Sequence, residues 1–166
     1  MERDPVDLIL DQWRRERPDV DLTGMAIIGR ISRIERRLQA RLDEVFARHG
    51  LEAWEFDVLA TLRRSGSPYR LTAGQLLDSM MITSGAVTHR INRLEARGLI
   101  RREPDPHDGR VVRVILTDDG FRTIEAALPD HAANEAAIVA GLGERDRATL
   151  TRLLRRLHVA LEHEEE

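Results

Sequence analysis

The chain has 166 residues, no cysteine and a formal net charge of −3 at pH 7. The lack of cysteine excludes disulfide scaffolds and thiolate metal sites, and neither an apolar run of about 18 residues nor a basic leader points to a membrane or to secretion. We therefore expect a soluble, cytoplasmic protein that is long enough to bury a core as one domain.

Charge is distributed unevenly along the sequence. All 26 basic residues are arginine. Between Thr83 and Arg113, seven arginines stand against four acidic residues, whereas the segment after Leu116 has 11 acidic residues against six arginines. Because local charge decides attraction to phosphate, the middle of the chain is the candidate for contact with a polyanion.

Two helices are predicted in residues 1–50. Asp4 followed by Pro5 is typical of an N-cap and a first helical turn. Thr23 is predicted to cap a second helix, in which apolar residues recur at steps of three and four until Gly50. The apolar face of this second helix is long enough to need a packing partner.

Residues 51–117 are predicted to hold three helices and a β-hairpin. In chain order, these elements are Ala53–Arg64, Ala73–Ser79, Ser84–Arg97, Leu99–Glu103 and Val111–Leu116. A helix, a short turn, a second helix and a hairpin in this order predict a winged helix-turn-helix. The second helix of that motif is the element that enters the DNA major groove.

Residues 118–166 are predicted to form two more helices. Thr117 is expected to cap the sixth helix, which Pro129 should interrupt or kink. The seventh helix is predicted over Glu144–Glu162, with leucines on one face. We therefore expect a mainly α fold with a small β wing: a winged helix-turn-helix flanked by N- and C-terminal dimerisation helices, all in one integrated domain.

The fifth helix has a polar face opposite an apolar one. A projection at about 100° per residue places Val87, Ile91 and Leu94 on the packed side. On the other side small residues allow close approach, and asparagine or histidine offers paired donor and acceptor atoms to a base. Arginines near the helix end and in the wing suit flanking phosphates. The predicted DNA-binding residues are Ser84, Gly85, Thr88, His89, Asn92, Arg93, Arg97, Arg110 and Arg113.

The tip of the hairpin allows two interpretations. Arg110 and Arg113 can reach phosphate or a minor groove. Equally, Asp105 and Asp108 can neutralise Arg110 in a solvated loop, and the spacing alone does not separate the two.

Residues 71–120 read LTAGQLLDSMMITSGAVTHRINRLEARGLIRREPDPHDGRVVRVILTDDG. This stretch strongly resembles the winged-helix domain of MarR-family transcriptional regulators, including the wing pattern Asp105-x-x-Asp108-x-Arg110. The resemblance extends over nearly the whole chain, because the flanking helices occupy the places of that family's dimerisation helices. It implies a homodimer that binds a pseudo-palindromic double-stranded DNA operator, as a repressor released by a small molecule.

Two other stretches, LILDQWRRERPDVD and EFDVLATLRRSGSPYRL, resemble the urate-responsive branch of that family. In that branch a tryptophan of the first helix, and an aspartate followed seven residues later by an arginine, form the ligand pocket. The matching residues here are Trp13, Asp57 and Arg64. A further arginine of the branch relays the signal to the recognition helix, and Arg90 matches it, with Arg102 as the alternative.

The physical chemistry of these residues suits a flat anion. A separation of seven places Asp57 and Arg64 on one helical face about two turns apart. Arg64 can pair with the oxygens of an anionic purine, while the indole of Trp13 forms a wall and Asp57 is repelled. Trp13 by itself is more often a core anchor, and the Asp57 and Arg64 pair by itself a solvated face. Urate, a related purine, or another aromatic, phenolic or carboxylate anion would fit.

No enzyme active site is indicated by the sequence. The six histidines are scattered, and there is no HExxH, no glycine-rich phosphate loop and no GxSxG. His158 and His163 near Glu162 fall on different helix faces, so we expect neither a metal site nor a cofactor. The remaining alternative is a winged-helix module that binds a protein partner without specific DNA binding, and the basic segment 83–113 argues against it.

Overall fold

The structure, a computed structural model, describes residues 3–80 and 84–163, with side chains from 88 onwards in the second range. The chain divides into two compact units, 1–53 and 54–166. The elements, in chain order, are α1 (Pro5–Glu16), α2 (Thr23–Arg48), α3 (Ala53–Arg64), β1 (Arg70–Thr72), α4 (Ala73–Met80), α5 (Ser84–Ala96), β2 (Ile100–Pro104), β3 (Val112–Leu116), α6 (Asp118–Ile138) and α7 (Glu144–Glu162).

In the first unit, a capping box fixes the start of α1. Asp4 accepts the N–H groups of Val6 and Asp7, and the Asp7 carboxylate accepts the N–H of Asp4 at 2.9 Å. Arg30 of α2 donates to Asp4 at 2.8 Å and to Asp7 at 2.6 Å. The predicted cap at Asp4, with Pro5 in the first turn, is confirmed.

Below this cluster lies a small apolar core. Val6 and Leu10 of α1 are buried together with Leu22, and Ala26 of α2 packs against them. The hydrophobic contact and the Arg30 ion pairs therefore join α1 to α2 by two independent means.

The predicted cap at Thr23 is wrong. Leu22 is the N-cap of α2 and makes no side-chain cap hydrogen bond, while Thr23 is the first helical residue. Asp21 supplies the carboxylate instead, accepting the N–H of Thr23 at 2.9 Å and its hydroxyl at 2.7 Å. Asp and Thr are both favoured at the N-terminus of a helix, so the sequence alone did not show which of Asp21 and Thr23 accepts the backbone hydrogen bond.

The sheet of the second unit has three strands in the order β1-β3-β2, all antiparallel. The sequence predicted only the β2 and β3 hairpin. Three-residue β1 is too short to show an alternating pattern, and it pairs through Leu71 opposite Val114. Thr72 accepts the N–H of Gln75 at 3.1 Å and so caps the start of α4.

The core of the second unit is shared by α3 to α6 and the sheet. Ile91 and Leu94 of α5 are buried, as the projection predicted, and the side chain of Val87 lies outside the described side chains. The largest fully buried apolar side chains here are Leu59, Leu62, Leu76, Leu94, Ile100, Ile124, Val58 and Val114. This shared core packs against the apolar face of α5.

Helix α6 continues through Pro129, so the predicted interruption is wrong, whereas the alternative of a kink stays a prediction. The proline removes one backbone hydrogen bond from a helix of 21 residues that buries Ile124 and Ala127 beside it, and packing outweighs that loss. Thr117 accepts the N–H of Gly120 at 3.0 Å, which confirms the predicted cap. A Cβ on Gly120 would lie 2.0 Å from the carbonyl oxygen of Leu99, so this close approach requires glycine.

Helix α7 differs from the others in its unit because none of its residues, all of which the structure describes, is buried. Its exposed large apolar side chains are Leu150, Leu153, Leu154, Val159 and Leu161. Within the described ranges, no helix is both long and apolar enough to cross a membrane.

Candidate nucleic-acid interface and ligand site

The outward face of α5 carries the residues that were predicted for base contact. Thr88, His89, Asn92 and Ala96 are exposed, opposite the buried side of the helix. The predicted contacts from Ser84 and Gly85 fall outside the described side chains. The described part of α5 therefore presents hydroxyl, imidazole and amide groups along one strip of surface.

Two arginines of α5 lie over an aromatic ring of α3. The guanidinium of Arg93 is 4.8 Å from the centre of the Trp54 ring, and that of Arg90 is 5.7 Å away. At these distances each cation is attracted to the ring face. Arg90 is half-buried on the inner side of α5, as the projection indicated. Trp54 was missed by the sequence interpretation, although it stands one helical turn before Asp57.

Arg97 is committed to a buried carboxylate. Its guanidinium donates to Glu55 of α3 at 2.5 Å, and Glu55 is only 1% exposed, whereas 41% of the Arg97 side chain is accessible. A buried carboxylate is costly without such a partner. Arg97 therefore stabilises the base of α5, and its predicted phosphate contact would come from the accessible part of the same side chain. An acid between Trp54 and Phe56 was the signal that could have identified this pair.

Arg102 of β2 ties the wing to α5. It donates to Asn92 Oδ1 at 2.9 Å, and its guanidinium also pairs with Glu95. The backbone N–H of Arg102 donates to Glu95 Oε1 at 3.2 Å, which satisfies a donor on the outer edge of the sheet. The hydrogen bond from the Arg102 side chain is the largest cause that lowers the pKa of Glu95.

The tip of the wing is organised by Asp105. One oxygen of its carboxylate accepts the N–H groups of His107 at 2.8 Å and Asp108 at 3.3 Å, and the other accepts from Arg113 Nε at 2.6 Å. The hydrogen bond from His107 is the largest cause that lowers the pKa of Asp105, and Arg113 adds to it. The tip is thus a closed turn with its own hydrogen-bonded centre.

The two wing arginines differ in environment. Arg113 is largely buried against Asp105, whereas the Arg110 side chain is 96% exposed and its Nε lies 3.9 Å from Asp108. Within the tip, Asp105 holds Arg113 at 2.6 Å, whereas Arg110 has only a long ion pair with Asp108 and stays exposed. Arg110 is the wing residue with the reach for an external anion.

Asp57 lies among positive charges within the second unit. Burial by neighbouring atoms raises its pKa, although the side chain keeps an exposed surface, while Arg90, His131 and Arg64 each act to lower it. Arg64 also donates to the backbone oxygen of Ser79 at 3.1 Å, which connects α3 to the end of α4. Asp57 thus interacts electrostatically with Arg64 and Arg90, two other members of the predicted ligand and relay set.

His131 of α6 is part of this cluster and was missed. Its ring lies 4.6 Å from that of Phe56, tilted by 53°, and its Nε2 is 3.4 Å from Glu135. A lone histidine in an alanine-rich helix carries no sequence signal for such a position. Trp13, the remaining predicted ligand residue, belongs to the other unit and is 45% exposed on α1.

Comparison with known proteins decides the family. Residues 49–111 match the model of the MarR family. The chain is 42% identical to the HTH-type transcriptional regulator PecS of Dickeya dadantii (strain 3937) over 149 residues. This alignment covers 90% of each of the two chains. The chain belongs to the MarR family.

Solved structures of this family are also similar. The MarR-family regulator Sco3205 of Streptomyces coelicolor, in complex with DNA, is 27% identical, with a TM-score of 0.74 and coverage of 86% of this chain and 91% of that one. BpsR of Bordetella bronchiseptica is 29% identical, with a TM-score of 0.69 and coverage of 77% and 89%. Both likenesses extend beyond the winged motif into the flanking helices.

Membership in the MarR family settles the general function. Like its relatives, the chain is a DNA-binding transcriptional regulator and not an enzyme. MarR-family regulators bind DNA operators, so α5 and the wing are the elements to consider for that contact.

Proposed function

We propose that this MarR-family regulator is a repressor that leaves a pseudo-palindromic operator when urate or a related small anion binds. In this proposal Trp13, Asp57 and Arg64 bind the ligand, and Arg90 relays the change to α5. The observation that carries the proposal is the position of Asp57, which interacts electrostatically with Arg64 and with Arg90 of the recognition helix.

A second negative charge near Asp57 would change the balance at this cluster. An anion paired with Arg64 would repel the Asp57 carboxylate and compete for the positive charges that now oppose it. Because Arg90 also lies over Trp54, a shift of its guanidinium acts on the inner side of α5. A differential affinity of about 1 to 3 kcal/mol between free and DNA-bound states is enough for useful regulation.

A related protein supports the ligand class. The BpsR structure concerns regulation of DNA binding by 6-hydroxynicotinic acid, which is a flat aromatic carboxylic acid. For the present chain, a planar anion with several oxygens is the class that a guanidinium recognises by paired hydrogen bonds.

The proposed operator binding requires a homodimer. Apolar side chains remain exposed on α2 and on α7, among them Ile27, Ile34, Leu153 and Leu154. Exposed apolar faces of this length are typical of an interface. Two copies related by a two-fold axis would place their α5 helices in successive major grooves about one helical turn apart.

The test measures urate binding and operator release with Arg64→Ala. We expect this variant to lose urate-induced release while its operator affinity stays close to that of the wild type, because Arg64 lies outside the face of α5 proposed for DNA. Arg122→Ala is the matched control, since it removes one exposed arginine from the start of α6. Unchanged urate release in Arg64→Ala would contradict the ligand site.

A further inference from the structure

The side chain of Asn92 is held by a neighbour that can only donate hydrogen bonds. Arg102 Nη1 donates to Asn92 Oδ1 at 2.9 Å, and the same guanidinium pairs with Glu95, one turn along α5. A guanidinium has five N–H donors and no acceptor. The atom of Asn92 that faces Arg102 must therefore be the carbonyl oxygen, and the amino group points away from Arg102.

This orientation changes what Asn92 can offer to a base. A freely rotating amide presents a donor and an acceptor together, which is the pattern that reads adenine through N6 and N7. With its oxygen turned towards Arg102, the exposed Asn92 side chain has the two N–H donors of its amino group on the side away from Arg102. Guanine has two neighbouring acceptors, O6 and N7, on its major-groove edge, whereas adenine places its own amino donor there.

We propose that Arg102 is a positioning residue that makes Asn92 a donor, and that Asn92 thereby selects a G·C base pair in the operator. It differs from the sequence-based expectation that Asn92 offers a donor and an acceptor together, which stays a prediction. It rests on the proposed reading of bases by the outward face of α5, and it assigns the chemistry of one contact within that face.

Glu95 gives the arrangement its stability. It pairs with the Arg102 guanidinium and accepts the Arg102 backbone N–H at 3.2 Å, so Arg102 is fixed at both ends of its side chain. Because Arg102 also belongs to β2 opposite Val114, the amide of Asn92 is oriented by the sheet and not by α5 alone. A residue held in this way presents its donors in one direction without losing further rotamer freedom on binding.

The test measures affinity for the operator, for operators with each base pair changed in turn, and for non-specific DNA. The variants are Asn92→Ala, Asn92→Asp and Arg102→Ala, with Arg101→Ala as the matched control. Arg101 is the adjacent residue of β2, carries the same charge and pairs with Glu103 at 2.6 Å. Thermal midpoints of all four variants establish that they are folded.

Asn92→Ala and Arg102→Ala are expected to lose discrimination at the same G·C pair, each on the order of tenfold. A fifth variant that combines Asn92→Ala with Arg102→Ala, its thermal midpoint also measured, should lose no more than either single one. Asn92→Asp keeps a group that Arg102 can bind but has no donor, so it should lose the preference for guanine as well. Arg101→Ala should weaken binding to every sequence by a similar factor.

Three results would overturn the assignment. One is an Arg102→Ala variant that behaves like Arg101→Ala while Asn92→Ala still loses discrimination. Another is an Asn92-dependent base pair that prefers A·T. An equal loss on all sequences from Asn92→Ala would remove both this role and the base-reading role of Asn92, whereas a wild-type protein that selects no operator would instead contradict the proposed function.

Discussion

Helices α5 and α7 belong to the same unit and present opposite kinds of surface. Helix α5 buries Ile91 and Leu94 and exposes polar side chains, whereas α7 buries nothing and exposes Leu153 and Leu154. An apolar face that is already packed leaves a helix ready for a polar, charged ligand such as DNA. An apolar face with no such packing favours a partner of the same kind. The difference separates the surface that we propose for DNA from the surface that we propose for assembly.

The same distinction applies to the arginines around α5. Arg97 and Arg113 each bind a largely buried carboxylate, while the Arg110 side chain extends into solvent. Charge alone would assign all three to phosphate. Arg97 and Arg113, however, also stabilise the fold through their ion pairs. A loss of DNA binding in a variant of either residue must therefore be distinguished from a loss of stability.

The largest effect is expected from Leu153→Asp in α7. A carboxylate in the proposed dimer interface should yield a monomer, and loss of simultaneous binding to two half-sites should weaken operator affinity by at least about 100-fold. Sedimentation and operator titration measure both quantities. Ala148→Asp, on the opposite face of α7, adds the same charge and should change neither. A dimeric Leu153→Asp protein with unchanged affinity would refute the assignment of this face.

Arg97→Ala should destabilise the protein more than it affects DNA contact. Removing the guanidinium leaves the Glu55 carboxylate buried with less compensation, at a cost of about 2 to 3 kcal/mol. For a chain of this size that lowers the thermal midpoint on the order of 5 to 10 °C. Glu55→Gln combined with Arg97→Ala should recover part of the loss. A midpoint equal to that of the wild type would mean that the ion pair contributes little.

Arg110→Ala should weaken DNA binding without a change in thermal midpoint. The loss of affinity should be similar for all DNA sequences. The slope of log affinity against log salt concentration should decrease in magnitude by about one for each wing that contacts phosphate. Arg113→Ala provides the comparison, because it should lower the midpoint by releasing Asp105. If the two variants showed the same stability and the same salt dependence, the distinction between the wing arginines would be wrong.

The smallest expected effect is the pH dependence of Asp57→Asn. Burial raises the pKa of Asp57 despite Arg90, His131 and Arg64, so the folded protein holds this proton more tightly than the unfolded chain. The free energy of unfolding should therefore decrease as pH rises from the ordinary aspartate pKa of about 3.9 through the raised folded pKa. Asn cannot ionise and does not lose stability in this way. The free energy of unfolding of the variant minus that of the wild type should therefore be larger at pH 7 than at pH 4. Urea unfolding at both pH values measures this difference in free energy, and a difference that is smaller at pH 7 than at pH 4 would contradict the prediction.

Long repeating patterns were predicted well from the sequence. The leucine spacing identified α7, the projection of α5 placed Ile91 and Leu94 in the core, and Asp4 and Thr117 were identified as caps. These features depend on residues close in sequence. Local periodicity and capping chemistry are therefore sufficient to find them.

Features that join distant residues were not predicted. Glu55 and Arg97 are 42 positions apart, and His131 reaches the Asp57 cluster from a different helix. No local pattern encodes which acid meets which base once the helices pack. The same holds for β1, whose three residues become a strand only because β3 lies beside them.

We propose that the chain binds its operator through α5 and releases it when a small anion binds. The most direct test is a gel-shift titration of the purified protein on the DNA just upstream of its own gene, with and without urate. We expect specific binding that urate reverses in the wild type. Specific binding that urate, xanthine and aromatic carboxylates leave unchanged would contradict the ligand site, and absence of specific binding would contradict the operator proposal itself.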